Sequence, residues 1–153
     1  MFLHNLKRGL RNCIYWLPII WRDYHWDYFS LLEILKHKLD AIRMSAINWG
    51  GVDDEKIVED IEHAISLIDA INNEEYEKHA FDTHERRWGR PEVVFRPFGG
   101  KFTEMLFVYP EASTQAEAEE QLGVMLREAM SKRQRAIDTL FGIIKDNFET
   151  WWD

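Results

Sequence analysis

The sequence is poor in cysteine, since Cys13 is the only one among 153 residues. A single cysteine excludes an intramolecular disulfide, a CxxC zinc site and a redox pair, and it fits a reducing compartment.

Long apolar runs are also scarce. The segment Ile14 to Trp21 is interrupted by Pro18 and too short to span a bilayer, and no small-residue cleavage pattern follows it. The sequence therefore predicts a cytoplasmic protein with no membrane partner.

Positive charge is the minority sign, with 19 Lys and Arg against 27 Asp and Glu and a net charge of −8. This balance argues against general nucleic-acid binding, which depends on cations that replace phosphate counterions. However, no acid occurs between Met1 and Arg22, so an anionic small molecule can still meet a local positive field. The hydrophobic fraction of 46% and charged fraction of 30% are typical of one compact domain, here residues 1–153.

Two amphipathic helices in the first half of the chain predict an antiparallel hairpin. The first runs from Tyr28 to Trp49, where Gly50 and Gly51 end it. The second runs from Asp53, a suitable N-cap, to Ala80. A short turn between them favours antiparallel packing. The two apolar stripes are Leu32, Leu35, Leu39, Ile42 and Ala46, and Ile57, Ile61, Ala64, Ile65, Ile68 and Ile71.

A third helical pattern covers Gln115 to Trp152 and begins at Thr114, whose spacing to Glu117 matches a capping box. At about 57 Å, such a helix is longer than the hairpin, so we expect a bend around Ser131 to Arg135 or an extension into a partner subunit. Arg133 interrupts the stripe there, as a break or a polar contact. The predicted stripe is Leu122, Leu126, Met130, Ile137, Leu140, Phe141, Ile144, Phe148 and Trp151. We expect the terminal Trp151 and Trp152 to be covered by the core or by a homo-oligomer interface.

The segment 81–112 is expected to be an irregular insertion because glycines and prolines exclude a helix through most of it. Val93 to Phe95 and Leu106 to Val108 form two short strands joined by the Gly-Gly turn, or an ordered loop. Near the start, Leu3 to Ile14 suggests a short amphipathic helix that Pro18 separates from the hairpin. The predicted fold class is mainly α: a helical hairpin, a long C-terminal helix and a Gly/Pro-rich loop or short β-hairpin.

The first candidate ligand site precedes the hairpin. Trp21 and Trp26 offer aromatic faces, Arg22 is suited to phosphate, and Asp23 and Asp27 are suited to sugar or base hydrogen bonds. These residue types suit a nucleotide. The structural interpretation is that the aspartates cap the helix and the tryptophans wedge it against the core.

The second candidate is an arginine-rich turn that contains Arg86, Arg87 and Trp88, followed by Gly89. Arginine forks recognise phosphate, the indole can stack, and the glycine permits close backbone approach. The structural alternative is surface salt bridges to the acidic helix.

The spacing of four glutamates suggests an enzymatic alternative. Glu59 and Glu62, followed by Glu74 and Glu77, resemble the magnesium motifs of all-α nucleoside triphosphate pyrophosphatases. However, helical geometry points Glu59 and Glu62 away from the isoleucine stripe, towards solvent. We expect no catalytic residues, no metal ligands and no cofactor.

Three motifs together carry a resemblance to a known family. They are the segment Trp21 to Tyr28 followed by Leu31-Leu32 and Lys38-Leu39, then Trp88-Gly89, then the terminal Trp151 to Asp153. With them the chain resembles a family of small phage-encoded proteins. The resemblance implies a phage anti-defence protein, acting in the cytoplasm of the infected host, that sequesters a nucleotide immune signal.

The leading hypothesis is thus a non-catalytic binder of an ADP-ribose-like signal, with the two clusters lining one cavity. The first alternative is an interaction, adaptor or inhibitor protein without a small-molecule ligand, in the form of a homo-oligomer held by the C-terminal helix. The second alternative is the metal-dependent pyrophosphatase.

Overall fold

The computed structural model describes residues 2–22, 28–49 and 54–151. The predicted mainly helical class with a small inserted hairpin and a long C-terminal helix is confirmed. The elements are α1 (Phe2–Arg22), α2 (Tyr28–Trp49), α3 (Asp54–Asn72), α4 (Glu75–Trp88), β1 (Glu92–Phe98), β2 (Phe102–Val108) and α5 (Gln115–Asn147).

The chain forms two compact units. The first consists of residues 1–72 and 140–153, as far as they are described, and the second of residues 73–139. Helix α5 contributes to both. The single domain expected from the length stays a prediction.

The hairpin of α2 and α3 forms the centre of the first unit. The bounds of α2 are those predicted, and the buried positions follow the predicted stripes, with Leu32 and Leu39 on α2 and Ile61, Ile68 and Ile71 on α3. Because these positions recur at intervals of three or seven residues, each helix buries one face. Gly50, Gly51, Val52 and Asp53, which the sequence assigned to the turn and cap, lie outside the described residues.

Polar contacts confirm that this hairpin is antiparallel. Asn72 Nδ2 donates to Glu33 Oε1 at 2.8 Å, Lys36 pairs with Asp69, and Arg43 Nη1 lies 3.0 Å from Glu62 Oε1. As the residue number rises along α2, the partner's number falls along α3.

The prediction that the second hairpin helix continues to Ala80 is wrong. Helix α3 ends at Asn72, and Glu74 has a left-handed φ of 53° before α4 begins at Glu75. A left-handed residue cannot continue a right-handed helix, so the chain changes direction here. Ala80 is buried in the second unit.

The insertion begins later than the predicted 81–112. Helix α4 continues to Trp88 and ends at Gly89, whose φ of 74° favours glycine and whose N–H donates to Glu85 O at 2.9 Å. A Cβ at this position would lie 3.2 Å from Glu111 Cγ. Gly89 therefore allows α4 to end at a position where the side chain of Glu111 packs closely.

Pro18 does not separate α1 from the hairpin as predicted, because α1 runs through it to Arg22. Proline removes the N–H that would bond the carbonyl of Ile14, which by itself disfavours a helix interior. On the N-terminal side of Pro18, the rings of Tyr15 and Trp16 contact His37 of α2. These contacts help to hold α1 in place at this point.

The two predicted strands are present and longer than expected. They pair antiparallel from Glu92 with Val108 to Phe98 with Phe102. The tip contains Gly99 and Gly100, with φ values of 52° and 75° that favour glycine. Pro97 lies inside β1 and gives that strand one backbone donor fewer. We call this β1–β2 hairpin, residues 92–108, the arm.

Helix α5 differs from its prediction in three respects. It continues unbroken through 131–135, it ends at Asn147 instead of Trp152, and only part of its predicted stripe is buried, with Leu140 fully enclosed as predicted. Met130 is exposed, whereas three alanines are buried: Ala118, Ala129 and Ala136. Alanines allow another chain segment to approach closely, so they take the core positions that the stripe assigned to larger residues.

Arg133 makes a polar contact, one of the two outcomes predicted for it. Its Nε lies 3.7 Å from Glu77 Oε1, with both side chains about three-quarters buried. Further along the chain, Trp151 is buried, as expected for the terminal aromatic pair, and Trp152 lies outside the described residues.

The start of α5 is fixed by side-chain hydrogen bonds. The first half of the predicted capping box is confirmed, since Glu117 N–H donates to Thr114 Oγ1 at 3.3 Å. Gln115 then bonds both backbone groups of Tyr109: its Oε1 accepts from Tyr109 N–H at 2.7 Å, and its Nε2 donates to Tyr109 O at 2.9 Å. This bridge ties the end of β2 to the first turn of α5.

None of the helices in the described residues combines the length and apolar character needed to cross a membrane.

Replacing Gln115 with alanine is expected to lower the free energy of unfolding by about 1–3 kcal/mol, because two partly buried backbone groups of Tyr109 lose their partners. Chemical denaturation followed by circular dichroism measures this change. The control is Gln134→Ala in the same helix, which removes one exposed bond to Asp138 and should change stability by less than about 0.5 kcal/mol. Equal losses in the two variants would contradict the assignment.

Candidate functional site

The first predicted cluster is described only in part. Trp21 and Arg22 end α1, and both are exposed, with Trp21 at 84% the most exposed of the large apolar side chains that the structure describes. Asp23, Trp26 and Asp27 lie outside the described residues. The described part of this cluster thus exposes an indole and a guanidinium on consecutive residues, whose directions around the helix differ by about 100°.

The second predicted cluster ends α4 and is already engaged in local contacts. Arg86 Nε donates to Asp82 O at 3.2 Å, and Arg87 Cζ lies 5.0 Å from the ring centroid of Trp88. Both arginines remain exposed. Such a cation–π contact orients the guanidinium over the indole without removing its donors from solvent. Arg86 and Arg87 therefore remain accessible to an anion.

Trp88 itself is part of the core of the second unit. It is 7% exposed, clusters with Tyr109 and Ala118, and donates from Nε1 to Gln121 Oε1 at 3.2 Å. Its indole is thus committed to packing, a role that neither interpretation of this cluster predicted. A role for Trp88 in stacking on a ligand stays a prediction.

His84 is a buried residue to which the sequence assigned no role of its own. Its Nε2 lies 2.8 Å from Ala118 O, so this nitrogen carries the proton and donates to the carbonyl. Its ring also meets Tyr109 edge-on, with centroids 4.8 Å apart. Burial, with Glu119 adding to it, raises the pKa of Tyr109. The spacing of Ala80, His84 and Trp88, four residues apart, is the sequence signal for this buried stripe.

The two clusters belong to different units, Trp21 and Arg22 to the first and Arg86 to Trp88 to the second. The single shared cavity expected from the sequence therefore stays a prediction.

The first unit has a groove of about 490 Å³ that the sequence did not reveal. It is lined mainly by polar side chains, six of them acidic or basic: Glu33, Lys36, Asp40, Arg43, Glu62 and Asp69, with His37 beside them. Its lysine pairs with Asp69, and Arg43 contacts Asp40 at 2.7 Å and Glu62 at 3.0 Å. These carboxylates raise the pKa of Arg43 further. The groove's cations are thus neutralised locally, and its charges serve mainly to join α2 to α3.

His37 and Tyr15 fasten α1 to α2 beside this groove. Tyr15 Oη donates to His37 O at 2.8 Å, and His37 Nε2 donates to Tyr15 O at 3.1 Å, with ring centroids 3.8 Å apart. Burial and the nearby carboxylate of Asp40 raise the pKa of Tyr15. His37 therefore has a structural role.

Two of the four acids considered for a metal-dependent pyrophosphatase, Glu59 and Glu62, face solvent, as the helical geometry predicted, whereas Glu77 is largely buried beside Arg133. Glu59 and Glu62 are exposed, and Glu62 pairs with Arg43. Across residues 2–22, 28–49 and 54–151, no three His, Cys, Asp or Glu side chains are grouped as a metal site. The described carboxylates thus give this alternative no support.

One face of the arm is apolar and unpartnered in the described structure. From the register, successive cross-strand pairs alternate between the two faces. One face carries no charged side chain and consists of Val93, Phe95, Pro97, Thr103, Met105 and Phe107. All six are exposed. We call this surface the neutral face. The alternation of apolar residues in both strands is the sequence signal for it.

No protein family, curated protein or solved structure matches the chain. The function is therefore inferred from the residues of the protein itself. The resemblance to small phage-encoded proteins stays an expectation.

Replacing Trp88 with alanine is expected to lower the free energy of unfolding by about 3–5 kcal/mol, because a buried indole leaves a cavity. Replacing the exposed Trp21 with alanine should change it by about 0.5 kcal/mol or less. Denaturant titration of both variants measures the difference. A neutral effect of Trp88→Ala would contradict the core role and restore this indole as a candidate stacking surface.

Proposed function

We propose that the protein is a non-catalytic interaction protein that pairs with a second copy of itself through the neutral face of the arm. The observation that carries this proposal is a charge-free sheet face whose six side chains are all exposed. Contiguous apolar patches on a protein surface mark interaction sites far more often than scattered apolar residues do.

The small size of the sheet supports a partner that packs on it as a second layer. In the described residues the sheet has two strands, and an isolated two-stranded hairpin is marginally stable in water. Sheets gain stability when one face packs on another layer about 10 Å away. A partner on the neutral face would supply that layer.

The absence of charge on the neutral face is compatible with a second copy as this partner. The net charge of −8 opposes self-association in general. The neutral face is a surface where two copies meet without opposing like charges. A two-fold contact places the same patch on both subunits, and an apolar patch is complementary to itself. The C-terminal helix, to which the sequence assigned the homo-oligomer, remains a second possible contact, with Met130 exposed on it.

Light scattering coupled to size-exclusion chromatography tests this proposal, with a dimer expected for the unaltered chain. Phe95→Thr should raise the dimer dissociation constant about thirtyfold or more, because truncating a central aromatic at an interface costs about 2 kcal/mol or more. The matched control is Phe98→Thr, since Phe98 is 64% exposed against 66% for Phe95 but lies on the opposite face. A monomeric unaltered chain, or equal effects of the two variants, would overturn the proposal.

A second candidate function is the one favoured by the sequence: sequestration of an ADP-ribose-like nucleotide signal by a phage protein in the host cytoplasm. The adjacent exposed side chains of Trp21 and Arg22 support it. An indole can stack on a base, and a guanidinium can bind phosphate in a bidentate manner. Asp23, Trp26 and Asp27 follow in the sequence, and Arg86 and Arg87 are a separate candidate anion contact within the second unit.

Isothermal titration calorimetry with ADP-ribose tests this second candidate. Trp21→Ala and Arg22→Gln should each weaken binding about tenfold or more, since stacking on one base contributes about 1–3 kcal/mol. The control is Arg8→Gln, which removes another exposed cation of α1 and should leave affinity unchanged. Absence of binding to the folded, unaltered chain would remove this candidate and leave the dimer proposal intact.

A further inference from the structure

Helix α1 carries an apolar face that is unpartnered in the described structure. Five large aliphatic side chains on this helix are exposed: Leu6, Leu10, Ile14, Leu17 and Ile20. At 100° per residue they share an arc of about 120°. Tyr15 and Trp16, which contact His37 of α2, point to other directions of the same helix. Contact with α2 therefore leaves this arc, here called the outer face of α1, in solvent.

The side chains next to the outer face are positively charged. Residues 1–22 contain no Asp or Glu, although the whole chain carries a net charge of −8. Lys7, Arg8 and Arg11 are exposed. Together with Leu10 and Ile14 they line one groove of about 510 Å³. Apolar and cationic side chains thus form a single continuous surface.

The combination of apolar and cationic side chains favours one kind of partner for the outer face of α1. A second copy on this face would bring two sets of Lys7, Arg8 and Arg11 together without compensating acids. An anionic bilayer offers hydrocarbon for an aliphatic face and negative headgroups at its border in the same plane. The long stems of lysine and arginine let their charges reach the headgroups while neighbouring side chains insert.

We propose that α1 lies in the surface plane of an anionic lipid bilayer, with its outer face inserted and Lys7 and Arg11 against the headgroups. The sequence-based expectation of no membrane partner rested on segments too short to span. A helix lying in the interface needs no spanning length, only a sharp separation of apolar and cationic faces. The proposal does not depend on pairing through the arm.

Vesicle flotation with the full chain tests the proposal. The chain should float with vesicles of phosphatidylcholine mixed with phosphatidylserine, and remain unbound with vesicles of phosphatidylcholine alone. Raising the salt to 1 M should reduce binding to the anionic vesicles, since surface charge is then screened within about 3 Å. Absence of binding to anionic vesicles, or equal binding to both compositions, would overturn the proposal.

Two matched pairs of variants separate the outer face from general effects of charge and apolarity. Lys7→Gln with Arg11→Gln should weaken binding to anionic vesicles about twenty-fivefold, or about fivefold for each cation removed. The charge-matched control is Lys56→Gln with Lys78→Gln, two exposed cations on α3 and α4. Leu10→Gln should weaken binding about tenfold, while Leu31→Gln on α2 should not, although their exposed fractions are 63% and 62%.

Three controls keep these results interpretable. Circular dichroism should show unchanged helix content in each variant, because every substituted side chain is exposed. A control pair that reduces binding as much as its test pair would overturn the placement on α1. Light scattering that shows a dimer dissociated by Leu10→Gln would assign the outer face to a second copy and also overturn the proposal.

Discussion

The burial of one isoleucine-rich stripe of α3 against α2 is the interaction on which the first unit depends. Ile61, Ile68 and Ile71 are fully enclosed, and ion pairs on the groove side hold the two helices in one register. This core needs a single face from each helix. Helix α1 contacts α2 through Tyr15 and Trp16 beside His37, and the outer face of α1 stays in water. Because α1 is held on one side only, its outer face is available to contact another surface.

The second unit has a different kind of core, built from small residues and aromatic rings. Alanines on α5 leave room for His84, which bonds directly to the backbone of Ala118. Trp88 closes this core, while the arginines before it remain in solvent. A sequence cluster that suggested one ligand site is thus divided by burial between packing and surface charge. The helix that carries both presents them on different sides.

The parts of the fold predicted from the sequence are those set by local periodicity and by glycine. The ends of α2, the start of α5 and the two strands fall where the pattern placed them. The errors arise where tertiary contacts or an unusual backbone decide the outcome. Helix α1 passes through Pro18 beside its contact with α2, and the break at Glu74 carries no glycine or proline signal. For the candidate site, residue types predicted anion-binding chemistry, but burial of Trp88 follows from the stripe it shares with Ala80 and His84.

The proline inside β1 has a consequence for how the arm can associate. Both strands are edges of the sheet, and an open apolar edge is a template on which further chains can add without limit. Pro97 removes one donor from that template, and Arg96 and Glu104 place charges on the opposite side of the arm. Growth by edge addition into fibres is thereby discouraged, whereas stacking of two sheets through a two-fold axis is self-limiting.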